Sequence, residues 1–222
     1  MEQAVRVTIA APISGVLIGN ARRAYERCIR ERLDDKVFVT DDNNFSRYAL
    51  DAIILSVAAL EAFLNEAALN PVALGIRRAD AALQALEELE IRRKYVLVPL
   101  VLWGTTFQCS RQPFQDFDCL VRVRNDLIHY KMPFYPSGHG PKYLRHLETN
   151  KLLLESDGPS RFGWVENLSS AKVALWAHNT ACRMAKELMV MADAVGRAWG
   201  DLAENFREIP PDYWKTIAEG ST

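Results

Sequence analysis

The sequence predicts an all-α fold with a loop-rich insertion before its last long helix, and three observations lead there. Apolar residues recur at helical spacing along most of the chain, and strand-like alternation is rare. Prolines stand where such runs end, at Pro71 and Pro133. Turn-forming residues gather in one stretch, 132–168. The 222 residues fit one domain spanning 1–222, and 49% hydrophobic with 25% charged residues is ordinary for a globular protein.

The first helix is predicted over about 13–34, with Ile13, Leu17, Ala24 and Cys28 on its apolar side. Arg22, Arg23, Arg27, Arg30 and Arg32 crowd the remainder and read as a solvated face with Glu26 and Glu31 as intrahelical partners. Asp34 to Asn44 is a polar connection. A long helix follows from Phe45 to Asn70, with the lane Leu50, Ile54, Val57, Glu61, Leu64 and Ala68 apolar at every step but one. A third helical stretch runs from Arg78 to Lys94, with Ala82, Leu86, Leu89 and Arg93 in register. Tyr95 to Trp103 is apolar but broken by Pro99, which leaves a short helix and an extended segment both open.

After a break at Gly104–Pro113, another helix spans Phe114 to Tyr130. The excursion 132–168 holds the basic stretch from Lys142 to His146 and has room for a hairpin. Helix resumes from Ser169 to Phe206 along the lane Ala171, Leu175, His178, Cys182, Ala185, Met189 and Ala192, whose small residues admit a close neighbour. The tail around Pro210 and Trp214 is expected to drape over the surface or reach a partner.

Net charge is −1, so any nucleic-acid site must be a local patch. Cys28, Cys109, Cys119 and Cys182 form no C-x-x-C pair, which points to a reducing cytoplasm and offers no metal framework. Val7 to Gly19 is apolar but is interrupted by Pro12 and lacks a basic lead-in, so it is not read as a secretory signal. No later run is read as the ~20 apolar residues of a membrane span. A Gly-rich phosphate loop, G-x-S-x-G and H-E-x-x-H are all missing, which removes several common enzyme classes and leaves no cofactor motif.

Two charges interrupt apolar lanes. Arg124 falls within the stripe Phe117, Leu120, Val121, Leu127 and Ile128, and Glu61 interrupts the lane of the long second helix. A lone buried charge costs several kcal/mol, so the two are expected to face each other across a helix contact, with Asn65 one turn further on. Such a pair equally suits a register-fixing contact with no chemistry.

Arg124-Asn125-Asp126-Leu127-Ile128-His129 carries the functional reading. Arg neutralises a phosphate at any working pH, and a His titrating near neutrality gives or takes a proton. Those groups suffice for metal-free phosphodiester cleavage, with a base taking the ribose 2′-OH proton and a cation holding the phosphate. Five residues place His129 roughly 140° of azimuth from Arg124, so the two do not share a face of an ideal helix. His129 lines up instead with Asn125 and Arg122 as a polar edge, or simply caps the helix. His178 reads as a hydrogen-bonded core histidine, while His139 and His146 lie in the excursion.

The R-x4-H string, its helix-end position and the upstream helix from Ser56 to Glu66 resemble the HEPN superfamily over a core of about 45–206. The resemblance implies an up-and-down helical bundle with 132–168 as an insertion, and a homodimer that brings two motif helices together. It also implies metal-independent ribonuclease chemistry of toxin–antitoxin or defence type, or else a noncatalytic binding module. By that likeness His129 is the general acid/base, Arg124 positions phosphate or His129, and Asn125 orients the scissile group, with Glu61 and Asn65 in support. RNA and an antitoxin or regulatory protein are the implied partners; Arg122, Lys131, Lys142 and Arg145 would supply the basic patch. Lys131 stands where some family toxins carry a modified tyrosine, so that form of regulation is not implied.

Overall fold

The computed structural model describes residues 12–33, 47–68, 85, 86, 88–129, 141–153, 163–194 and 202–219. These residues are mostly helical and include no strand. The principal helices are α1 (Ile13–Leu33), α2 (Arg47–Ala68), α3 (Ile91–Trp103) and α4 (Phe114–Ile128). They are followed by α5 (Arg145–Thr149), α6 (Ala171–Asp193), α7 (Leu202–Asn205) and α8 (Tyr213–Glu219). Short 3-10 segments, Lys142–Leu144 and Gly163–Leu168, precede α5 and α6.

Helices α1 and α2 run antiparallel. At one end the Glu66 carboxylate accepts both the Ser14 amide, at 3.1 Å, and the Ser14 hydroxyl, at 2.5 Å. That places a negative charge on the amide-rich start of α1. At the other end the Arg27 guanidinium lies 5.6 Å from the Tyr48 ring centre. Helix α6 packs on both, and its start is capped by Ser170, whose Oγ accepts from the Val173 amide at 3.1 Å.

An aromatic cluster joins α3 to α4: the Tyr95 ring sits 4.8 Å from Phe117 and 5.7 Å from Phe107, which in turn meets Phe114. Tyr95 is fully buried, and its hydroxyl donates to the Leu60 carbonyl of α2 at 3.2 Å. Core aromatics thus fix α2, α3 and α4 relative to one another.

Several expectations are corrected. The stretch 78–94 is not one continuous helix: Glu88 and Leu89 form a turn, and α3 begins only at Ile91. Of the two alternatives left open for Tyr95–Trp103, the helix is the one observed: it runs through Pro99 to Trp103 and ends at Gly104 in the left-handed conformation, φ 68°. Within the loop-rich excursion, the stretch Lys142–His146 is helical. The last long helix closes at Asp193, short of Phe206. The polar connection Asp34–Asn44 lies outside the described residues. Arg47–Glu66 has the length and composition of a membrane-crossing helix, although half of that window is buried within the bundle.

The tail is built into the fold. Phe206 meets Phe63 at 4.9 Å, and α7 comes so close to α1 that a Cβ on Gly15 would lie 2.8 Å from the Asn205 side chain. The Asn179 amide donates to the Ile209 carbonyl and accepts from the Ile209 amide, both at 2.8 Å. Tyr213 donates to Glu26 at 3.1 Å while Arg22 lies over its ring.

His178 is a core histidine, as its lane predicts, with Nδ1 3.2 Å from Asn179 Oδ1. Burial lowers its pKa to about 4. The unfolded chain titrates near 6.5, so between those values it binds a proton that the native state refuses, and stability falls as pH drops. Urea denaturation should show the wild type losing about 2 kcal/mol more between pH 7 and pH 5 than His178→Gln does. Equal losses in the two proteins would remove His178 as the source.

Candidate functional site

The interrupting charges of α2 and α4 meet. Arg124 Nη2 donates to Glu61 Oε2 at 3.3 Å, and Arg124 Nη1 donates to Asn125 Oδ1 at 3.0 Å. A third helix joins them: Lys94 Nζ lies 3.9 Å from Glu61 Oε1 and donates to Asn65 Oδ1 at 3.3 Å. The sequence reading missed Lys94, which follows Arg92 and Arg93 and looks like part of a solvated basic run. In the fold Lys94 is only 4% exposed. A buried ammonium persists only where a carboxylate and an acceptor meet it, and Glu61 and Asn65 do so.

The cluster is half-buried rather than a sealed ion pair. The Glu61 side chain is 38% exposed and that of Arg124 20%. One carboxylate faces two cations here, so the cluster carries a formal excess of one positive charge, with Glu61 its most exposed member and Lys94 its least. Of the two cations, Arg124 is the one partly open to a phosphate.

His129 ends α4 at φ −100° and ψ 31°, its amide donating to the Asn125 carbonyl at 2.9 Å. Its side chain is exposed, and among the described residues no hydrogen bond or ion pair joins it to Arg124. This agrees with the azimuthal separation set by helical geometry. Arg122 is exposed but its Nε donates to Asp118 Oδ2 at 3.0 Å, and Arg92 of α3 pairs with the same carboxylate. Lys142 and Arg145 are exposed, while Lys131 and His139 lie outside the described residues.

A second polar network was not legible in the sequence. Asp116 of α4 is 5% exposed and meets His146 Nε2 of α5 at 2.5 Å and Arg183 Nη2 of α6 at 3.4 Å. Nearby, the Tyr143 hydroxyl hydrogen-bonds the Asp126 carboxylate, and Cys119 Sγ donates to the Tyr143 carbonyl at 3.6 Å. Burial raises the Cys119 thiol to about 12, so it stays neutral. These contacts dock the described part of the excursion on α4. His146 thereby belongs to the scaffold. Among the described residues no three His, Cys, Asp or Glu side chains cluster as a metal site would require.

Comparison of the chain with protein-family models, curated proteins and solved structures gave no match. The site therefore stands on its own geometry.

Because Glu61 is shared, its loss should cost more than the loss of one of its partners. Glu61→Gln leaves Lys94 and Arg124 facing each other and should destabilise the protein by about 2–3 kcal/mol. Arg124→Gln keeps the Lys94–Glu61 contact and should cost about 1 kcal/mol, since the pair is partly exposed. Urea denaturation of both variants checks the order; an equal or reversed ranking would mean that Glu61 does not hold Lys94.

Proposed function

We propose that this chain is a cytoplasmic, metal-independent endoribonuclease of HEPN-like toxin or defence type, with its site completed by a second copy. The observation that carries the reading is an accessible His129 ending the helix whose Arg124 is pinned in a cluster with excess positive charge. His129 takes the ribose 2′-OH proton as general base, and the 2′ oxygen attacks phosphorus. The 5′ oxygen departs and is protonated by a general acid, leaving a 2′,3′-cyclic phosphate and a 5′ hydroxyl. Arg124 holds the phosphate, Asn125 fixes the guanidinium, and Glu61 and Asn65 anchor the cations behind it.

Dimerisation supplies what one chain lacks. A second copy places its own His129 and Arg124 against the first, so base and cation from different chains face one phosphate. RNA and an antitoxin or regulatory protein are the partners this reading names. Lys142 and Arg145 are exposed and add phosphate contacts, whereas Arg122 is partly engaged by Asp118.

A second reading, a noncatalytic HEPN-like helical module that binds RNA, a nucleotide or a partner protein, is favoured by one observation. The Arg124 guanidinium already has Glu61 and Asn125 as partners and is 20% exposed, which suits a fixed structural charge.

Incubating purified protein with a mixed RNA pool in EDTA separates the two. Under the first reading the wild type cleaves, leaves 2′,3′-cyclic ends, and His129→Ala is slower by at least about a hundredfold at unchanged thermal stability. A well-folded wild type that leaves the pool intact would favour the binding module.

A further inference from the structure

A groove separate from the Arg124–His129 region lies where α1, the start of α6 and the tail meet. It encloses about 360 Å³ and is lined by Tyr25, Ile29, Leu175, Pro211, Trp214 and Lys172. That volume falls at the small end of the range for ligand sites, and its walls are mainly apolar with one cation at the rim. Trp214 is 47% exposed, a large aromatic surface in water. The Lys215 ammonium lies 6.0 Å from its ring centre. Aromatic faces with adjacent cations suit unpaired nucleobases, because the ring stacks on the base and the cation meets the neighbouring phosphate.

The platform is held in place. Tyr213, next to Trp214, is fixed by its bond to Glu26 and by Arg22 over its ring, and Asn179 holds Ile209 upstream. Ile217 is buried beyond it. Little ordering entropy is therefore lost when a base enters.

We propose that this groove binds single-stranded RNA by accepting one unpaired base against Trp214, with Lys172 and Lys215 on the flanking phosphates. The proposal rests on RNA being the substrate and adds a second, noncatalytic point of hold that selects single strands over duplex. Charge complementarity decides the occupant: the apolar walls take the flat base, while Lys172 at the rim and Lys215 beside the Trp214 ring take the backbone.

The test uses the full chain carrying His129→Ala, so that the probe, a fluorescein-labelled ten-nucleotide oligouridine, stays intact. Fluorescence anisotropy should show binding that Trp214→Ala weakens at least about fivefold and Trp214→Phe weakens less than about twofold. Lys172→Ala should flatten the salt dependence, and a duplex of the same length should bind more weakly. No binding, equal affinity with Trp214→Ala, or equal losses for the Ala and Phe variants would overturn the groove assignment. The same samples without His129→Ala report cleavage separately. RNA bound through Trp214 but never cut would refute the ribonuclease and keep the groove, whereas cleavage with affinity indifferent to Trp214 would do the reverse.

Discussion

One carboxylate organises the middle of this protein. Glu61 on α2 holds Arg124 of α4 on one oxygen and faces Lys94 of α3 with the other, so three helices share a single anion. The aromatic contacts of Tyr95 with Phe117 and Phe107, and its hydroxyl on the Leu60 carbonyl, set the same three helices from the apolar side. Apolar packing alone tolerates small slips between helices, whereas a shared ion makes a displacement of any partner costly. The direction of the Arg124 side chain follows from that constraint, and with it the electrostatics of the candidate site.

What was legible in the sequence followed from local periodicity. The limits of α1 and the core of α2 and α4 come from apolar spacing, and Arg124 with Glu61 stood out because each charge interrupts such a lane. The same logic misses Lys94, which sits beside Arg92 and Arg93 where a third cation draws no notice. It also leaves Tyr95–Trp103 undecided at Pro99. A proline does forfeit one amide hydrogen bond, but Val98 and Trp103 are buried and their packing keeps the helix together across it.

The remaining omissions are long-range. Asp116 meets residues 30 and 67 positions away, and no short window of sequence contains that triad. Its consequence is architectural: α5, a five-residue helix too short to persist alone, is tied to α4 by His146, and the 3-10 turn before it by Tyr143. The described part of the excursion is therefore a buttress on the helix that carries Arg124 and His129. The sequence places His146 only within the excursion; the fold uses it as a brace.

The closure of the tail has a different character. Asn179 meets both backbone groups of Ile209 with a single side chain, doing for one residue what a neighbouring strand does along a ladder. Aspartate has the same shape as asparagine and could still accept from the Ile209 amide, but it would turn a bare oxygen toward the Ile209 carbonyl. Two acceptors in contact repel. The return of the tail to the bundle is thus sensitive to the identity of one nitrogen atom, and conversion of that amide to an acid would loosen the chain end without altering its outline.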